Sequence, residues 1–193
     1  MQSDPIVSIG GQKMKIQLAI LATLVVVATG YAEDVMKDNG IVEREVMEAQ
    51  KIWGEAIVAI GEAYTQKKDY KALAEEIVNT LYGYDEGVVL FKPTKASEKQ
   101  FRLTKEEAVS YFVTGIVPED RGFAIQPWSK VRFENADIII NGDSAIAMGN
   151  YYFTDANTGK EAKVEFTFGY FKDENGKLRI NVHHSSFPYK PVP

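Results

Sequence analysis

The pattern of hydrophobic residues divides this 193-residue chain into a helical first half and a β-strand second half. After Gly122 the chain alternates apolar and polar residues, interrupted by short turns such as Asn141-Gly142-Asp143. Alternation with period two is typical of half-buried strands, and Asn-Gly turns join antiparallel neighbours. We predict strands near residues 123–135, 137–140, 144–154, 162–172 and 177–187. The second half is therefore expected to fold as an antiparallel meander.

The region before Gly122 carries the spacing of three and four residues that is typical of amphipathic helices. Residues 43–65 predict a long helix and residues 70–82 a second one, with a short strand at 88–92 after them. Thr104-Lys105-Glu106-Glu107 is a capping box that opens a third helix, ending near Val113. Helices followed by a meander indicate an α+β domain. We expect a cone-shaped half-barrel in which three N-terminal helices pack on a curved antiparallel sheet, with a pocket between them.

The first 32 residues have the features of an export signal. Lys13 and Lys15 form a short basic region, an apolar run follows at residues 18–28, and Gly30-Tyr31-Ala32 offers small residues to a signal peptidase. The run is too short to span a bilayer comfortably, so a signal peptide is favoured over a membrane anchor. Met14 is a natural start, with residues 1–13 as an upstream extension. We expect residues 1–32 to be removed, leaving residues 33–193 as one periplasmic or secreted domain that is not held at a membrane.

Charge and cysteine content exclude several classes of protein. The net charge is −5, which argues against a nucleic-acid surface because such surfaces need clusters of basic residues. The chain has no cysteine, which removes disulfides, a cysteine nucleophile and iron–sulfur clusters. Without cysteine a structural zinc site is also unexpected.

The only two histidines of the chain, His183 and His184, are adjacent, and Ser185 and Ser186 follow them in the last predicted strand. Imidazole is the side chain whose ordinary pKa lies nearest neutrality, so these residues are the first candidates for proton chemistry. Alternation continued from the apolar residues of this strand predicts that His184 and Ser186 face inward, with His183 and Ser185 on the opposite face. A core histidine bonded to a neighbour fits the pattern equally well. Since adjacent strand residues diverge, the two imidazoles are not expected to share a metal ion.

Three segments resemble the iota class of carbonic anhydrases: residues 90–94 (Leu-Phe-Lys-Pro-Thr), residues 122–128 (Gly-Phe-Ala-Ile-Gln-Pro-Trp) and residues 183–189 (His-His-Ser-Ser-Phe-Pro-Tyr). The resemblance covers about residues 52–189. The order of helices and strands is also similar to the cone-shaped domain of nuclear transport factor 2 and of the calmodulin-dependent kinase II association domain. The resemblance to the iota class implies reversible hydration of carbon dioxide to bicarbonate. The resemblance in fold implies a homodimer or larger homo-oligomer. Proteins of this fold commonly associate through the exposed face of the sheet.

One position departs from the family pattern. The family signature near the C-terminus is His-His-His-Ser-Ser, and this chain has Val182 in the first place, which we interpret as core packing beside Ile180. Two divergent histidines without a third favour the version of the family that works without metal. We therefore expect no metal and no other cofactor.

The resemblance implies four catalytic residues, Thr94, Tyr111, His184 and Ser186. In this hypothesis Thr94, Tyr111 and Ser186 hold water and then the bicarbonate oxygens, while His184 orients that network or accepts the proton. Four aromatic residues are candidates for the apolar wall that admits the gas: Trp53, Phe112, Trp128 and Tyr152. For any one of the four taken singly, an ordinary core aromatic is the favoured interpretation.

Two other functions stay open from the sequence alone. A non-catalytic small-ligand-binding or oligomerisation module uses the same fold, but it has no need of an inward histidine and serine. Another enzyme on this scaffold, such as an isomerase or dehydratase, commonly uses an acidic base inside the cone. The pattern forces no acid inward, because Asp137, Asp143 and Asp173 fall at turns or strand starts.

Overall fold

The computed structural model describes residues 40–192, which form three helices and a five-stranded sheet. The helices are α1 (Glu43–Thr65), α2 (Tyr70–Leu81) and α3 (Lys105–Val113). The strands are β1 (Leu90–Lys92), β2 (Trp128–Asn141), β3 (Ser144–Asp155), β4 (Glu161–Lys172) and β5 (Leu178–Ser186). The predicted signal peptide at residues 1–32 lies outside the described residues. Within residues 40–192 no helix has the length and apolar content needed to cross a membrane.

The three predicted helices are confirmed, each within a residue or two of its predicted bounds. Local chemistry fixes where two of them begin: Asp69 accepts a hydrogen bond from the Ala72 backbone N–H, and Thr104 accepts one from that of Glu107. Such side-chain caps satisfy amide groups that the first helical turn leaves without partners. The buried stripe of α1 faces the sheet and includes Trp53, the largest fully buried side chain of the described chain.

The strands are ordered β1-β5-β4-β3-β2, so the sheet is open, with β1 and β2 at its edges. Strands β2 to β5 form the predicted antiparallel meander, and β1 joins β5 in parallel. The inner face carries a dense row of buried aromatic residues, among them Tyr151, Phe153, Phe166, Phe168 and Tyr170. The helices cover this face, which confirms the predicted α+β half-barrel.

The prediction of a strand over residues 123–135 was wrong in its first part, and the break predicted near residue 136 is a bulge. A single strand starts at Trp128 and runs to Asn141, with register irregularities at Ser129 and Ala136. The preceding loop instead bonds to the end of α3, because the backbone N–H groups of Phe123 and Ala124 donate to carbonyls of Tyr111 and Phe112.

Strand β5 contains a bulge at Asn181 that reverses its alternation. Ile180 lies opposite Tyr170 and Val182 opposite Gly169, so the residue between them has no partner on β4. The extra residue fits because Gly169, on the neighbouring strand, has no side chain. A Cβ at that position would lie only 2.7 Å from the Asn181 Oδ1 atom. One extra residue moves every later side chain to the other face of the sheet. Beyond Asn181, therefore, odd-numbered residues of β5 face the core.

Candidate active site

His183, not His184, is the histidine that faces the core. Its ring stacks on Phe91 with ring centroids 4.5 Å apart and meets Phe168 edge-on at 4.2 Å. The Nδ1 atom lies 2.8 Å from the Tyr82 hydroxyl, and Nε2 lies 3.5 Å from the Tyr151 hydroxyl. Desolvation in this aromatic surrounding, helped by the adjacent imidazole, lowers the pKa of His183 well below its ordinary value. The ring is therefore neutral near pH 7.

Four hydroxyl groups converge beside this imidazole. Thr94 Oγ1 donates to Ser185 Oγ at 2.9 Å, and Ser185 is buried. Burial raises the pKa of the neighbouring Tyr151 hydroxyl, and the Ser185 and Thr94 side chains partly offset that rise. The Tyr111 hydroxyl accepts a bond from the Lys95 backbone N–H at 3.4 Å, and the Thr94 side chain offsets part of the rise that burial causes in the pKa of Tyr111. Burial raises the pKa of both tyrosine hydroxyls far above the ordinary range, so both stay protonated at neutral pH.

Of the four residues predicted to be catalytic, the structure brings Thr94 and Tyr111 together but places His184 and Ser186 on the outer face of the sheet. The predicted inward orientation of His184 and Ser186 was wrong because the bulge at Asn181 reverses the alternation after Ile180. Ser186 donates to Glu165 Oε2 at 3.1 Å on that outer face, and His184 is exposed there.

The same bulge corrects the interpretation of Val182 as core packing. Val182 is only partly buried and shares the outer face with Leu90, its partner on β1. The nearby His184 has a lowered pKa, because partial burial and the Lys92 ammonium outweigh the opposite effect of Glu165.

Three of the four predicted wall aromatics lie inside, and one does not. Trp53 and Phe112 are buried within the aromatic core with ring centroids 6.5 Å apart. Trp128 is buried and donates its indole N–H to the Phe123 carbonyl at 2.8 Å. Tyr152 was predicted wrongly: it lies on the outer face, where the Arg132 guanidinium stands 4.0 Å from its ring centroid. Tyr151 occupies the inward position instead.

A groove of about 270 Å³ opens to solvent next to the hydroxyl groups. Its floor is apolar and includes Phe123 and Phe153. Phe123 stacks on Tyr111 at 5.4 Å and Phe153 meets Tyr151 at 4.7 Å, so a single layer of rings separates the groove from the hydroxyl cluster. At the rim, Lys95 Nζ donates to Gln126 Oε1 at 2.8 Å. Partial burial lowers the pKa of Lys95. We interpret this groove as a route between solvent and the hydroxyl cluster.

The loop that carries Thr94 is fastened by a buried ion pair. Arg102 is fully buried and donates to Asp120 Oδ1 at 2.7 Å, while the Ser110 hydroxyl donates to the other oxygen of Asp120 at 2.7 Å. Ser110 precedes Tyr111 on α3, so the pair links the loop after β1 to the helix that carries the second candidate hydroxyl. Removing one partner of such a pair leaves an uncompensated buried charge, so both residues are needed to hold the loop against α3.

The groups that meet in this site are hydroxyls, aromatic rings and one neutral imidazole. Between residues 40 and 192 no three histidine, cysteine, aspartate or glutamate side chains lie close enough together to hold a metal ion. Four hydroxyls can both donate and accept hydrogen bonds, so they suit a water molecule and a small oxyanion in turn. The apolar rings around them suit a small uncharged molecule.

Sequence reasoning missed four residues of this site: Tyr82, Tyr151, His183 and Ser185. A glycine inside an otherwise aromatic strand often marks a bulge, and Gly169 was such a signal for the reversal in β5. The inward position of Tyr151 follows from unbroken alternation with Ala145, Ala147 and Phe153. No local pattern indicated Tyr82, since it reaches the site only through packing of the end of α2 beside β5.

Comparison with known proteins supports the resemblance to carbonic anhydrases that the sequence indicates. A family model described as metal-independent carbonic anhydrase matches residues 44–187. A metal-independent carbonic anhydrase from Nostoc sp. (strain PCC 7120 / SAG 25.82 / UTEX 2576) is 46% identical over 170 residues, covering 86% of this chain and 82% of that protein.

One solved structure agrees with the sequence comparison. A crystal structure of the iota-carbonic anhydrase from a cyanobacterium, complexed with bicarbonate, is similar with a TM-score of 0.78 and 47% identity. The match covers 81% of this chain and 98% of that one. A nuclear transport factor 2-like protein from Salmonella enterica serovar Typhimurium LT2 is similar with a TM-score of 0.46 and 15% identity, over 77% of this chain and 92% of that one. On the family match and the 46% identity, this chain belongs to the metal-independent carbonic anhydrase family.

Proposed function

We propose that this protein hydrates carbon dioxide reversibly to bicarbonate at the site formed by Thr94, Tyr111, Tyr151, His183 and Ser185. Family membership supports the reaction, and a structural relative at 47% identity is complexed with bicarbonate. The observation that carries the assignment of the site is the hydrogen bond between the hydroxyls of Thr94, which is partly buried, and Ser185, which is buried at the edge of the aromatic core. A non-catalytic module would have no use for such a pair.

The reaction requires a polarised water molecule, an apolar space for the gas and a way to stabilise the bicarbonate charge. Thr94 and Ser185 can hold the water by accepting hydrogen bonds from its O–H groups, which increases the electron density on the water oxygen. Tyr111 and Tyr151 remain protonated because burial raises the pKa of each, so both can donate to the negative oxygens that develop as the C–O bond forms. Donors that are already in place lower the barrier without reorganisation of solvent.

His183 orients this network and does not act as the base that keeps the proton. Its pKa lies well below the ordinary value because it is desolvated, so the imidazolium form is unfavourable at neutral pH. A base is most effective when its pKa is near the working pH. We therefore assign the final proton acceptor to water or buffer reached through the groove beside Lys95.

Aromatic residues of the inner face supply the space for carbon dioxide. Trp53 and Phe112 pack in the ring cluster around His183, and Phe153 separates the hydroxyl groups from the outer groove. Carbon dioxide has no net charge and loses little hydration on entering such a space. Bicarbonate is charged and strongly hydrated, so the same apolar surroundings favour its departure toward the groove.

Replacing Ser185 with alanine should lower kcat by about 10²–10³-fold, the loss typical of removing one positioned hydrogen-bonding group from an active site. The matched control is Ser186→Ala, which removes the hydroxyl that bonds Glu165 on the outer face and should keep kcat within about twofold. Both are measured by stopped-flow hydration of carbon dioxide with a pH indicator, on protein treated with a chelator. Equal losses in the two variants, or full activity in Ser185→Ala, would show that the assigned face is wrong.

The buried neutral imidazole of His183 should make folding stability depend on pH in an identifiable window. Because its folded pKa is depressed, its neutral form contributes stability that is complete above about pH 6.5 and is lost as the pH falls below that value. The unfolded chain then binds the proton and the folded one does not, giving a slope of at most about 1.4 kcal/mol per pH unit.

This dependence is measured by urea unfolding between pH 5 and pH 8, a range that lies mostly above carboxylate titration. A His183→Asn variant should lose the slope. The control His184→Asn should keep most of it, because His184 is exposed and its pKa is lowered less. Parallel stability curves for the wild type and His183→Asn would contradict a buried neutral imidazole.

We also propose that the protein is a homodimer or larger homo-oligomer that associates through the outer face of the sheet. The large apolar side chains exposed on this face include Ile139, Ile146 and Met148 on the adjacent strands β2 and β3, with 67%, 50% and 56% of their surfaces accessible. Clustered exposed apolar residues are typical of an interface. Light scattering should give at least twice the mass of one chain, and a Met148→Glu variant should lower it. A single-chain mass at micromolar concentration would contradict the proposal.

The features of residues 1–32 support export to the periplasm or beyond. We expect the mature protein to begin near Glu33 and to appear in the exported fraction of expressing cells. Mass spectrometry of that fraction tests this directly, and a full-length mass confined to the cytoplasm would exclude it.

A further inference from the structure

A chain of four hydrogen-bonding side chains runs from α1 to the hydroxyl cluster. The Trp53 indole N–H donates to the Tyr82 hydroxyl oxygen at 2.9 Å. The Tyr82 hydroxyl lies 2.8 Å from His183 Nδ1, and Tyr151 lies 3.5 Å from His183 Nε2. All four side chains are buried, so no solvent competes for these contacts.

The first donor fixes the direction of the chain. An indole N–H can only donate, so the Tyr82 oxygen acts as an acceptor toward Trp53. The Tyr82 proton is then free to bond elsewhere, and His183 Nδ1 lies at bonding distance from that hydroxyl. If Nδ1 carried the hydrogen instead, the Tyr82 oxygen would accept two bonds and its own proton would lie without an acceptor in the apolar interior, so Nδ1 carries a lone pair.

The proton of the neutral imidazole then resides on Nε2. The Nε2–H group faces the Tyr151 oxygen 3.5 Å away, and this oxygen accepts the hydrogen bond. The Tyr151 proton consequently points away from the imidazole. On that side lie Ser185 and Thr94, whose hydroxyls bond to each other. Burial raises the pKa of Tyr151, and these two side chains partly lower it. In the opposite tautomer Nε2 would accept the Tyr151 proton and withdraw it from the hydroxyl cluster. The Tyr82 proton would also lose its partner in the apolar interior.

We propose that Trp53 and Tyr82 are positioning residues that hold His183 as the Nε2–H tautomer and thereby aim the Tyr151 hydroxyl at the Thr94–Ser185 pair. Neither residue touches the reacting atoms. The catalytic consequence rests on the proposed function of the site, whereas the assignment of the tautomer rests on the hydrogen-bond geometry alone.

The tautomer is read from ¹⁵N NMR of imidazole-labelled protein, in which a nitrogen with a lone pair resonates far from one that carries hydrogen. The chain has only two histidines, so a His184→Gln variant assigns the His183 signals. In the wild type, Nδ1 is expected to be the nitrogen with the lone pair and Nε2 the protonated one. The reverse pattern would overturn the proposal.

In Tyr82→Phe, Nδ1 loses its donor, so the Nδ1–H tautomer should become populated. The value of kcat should fall about tenfold with KM within twofold, a loss of the size seen when a supporting partner of an active-site histidine is removed. Full kcat with an altered tautomer would overturn the catalytic part of the proposal, and an unchanged tautomer would overturn the rest.

Tyr170→Phe is the matched control, because it removes a hydroxyl from an equally buried tyrosine that has no hydrogen-bond partner among the described residues. It should leave both the tautomer and kcat unchanged, and a tenfold loss of kcat here would reassign the Tyr82→Phe effect to packing. A Trp53→Phe variant keeps the Tyr82–His183 contact but removes the indole donor. The Tyr82 hydroxyl can then either donate to Nδ1 or accept from Nδ1–H, so a mixture of the two tautomers is expected.

Activity separates the two hypotheses. If wild-type protein shows the Nε2–H tautomer and does not hydrate carbon dioxide, the proposed function fails while the tautomer assignment stands. If wild-type protein is active and shows the Nδ1–H tautomer, the function stands and the positioning proposal fails.

Discussion

Burial of a neutral imidazole among aromatic rings is the constraint on which the rest of this structure depends. An unpaired polar atom in such an interior costs about 1–3 kcal/mol, so both ring nitrogens of His183 need partners. Tyr82 and Tyr151 provide them from the end of α2 and from the centre of β3. Helix and sheet are thereby held in one relative position, and the hydroxyl cluster takes its geometry from that position.

The site joins chain segments that are distant in sequence. Thr94 follows the edge strand β1, Ser185 lies on β5, and the parallel pairing of those strands brings the two hydroxyls within 2.9 Å. The Arg102–Asp120 pair then holds the irregular loop after β1 against α3. An edge strand of three residues could not fix a hydroxyl by itself, so the buried pair and the parallel ladder act together.

The helices, the meander and the family were predictable from the sequence because they depend on periodicity, caps and turns, which are local. The inward face of β5 was predicted wrongly, because the alternation of side chains between the two faces reverses wherever one residue is left without a partner. Asn181 reversed the predicted roles of His183 and His184 without changing the bounds of the strand. Tyr82 was not predictable at all, since only the packing of α2 beside β5 brings it to Nδ1.

The bulge has a consequence for the signature that carries the site. In His183-His184-Ser185-Ser186 the pair histidine and serine, two residues apart, occurs twice, once in each register of the strand. With the extra residue at Asn181 the first copy faces the core, and without it the second copy would. The duplicated motif therefore supplies an imidazole and a hydroxyl to the inner face in either register. Only the bulge, however, puts the imidazole opposite Phe168, because without it Val182 would lie there and His184 would take the place of Ser185 opposite Phe166.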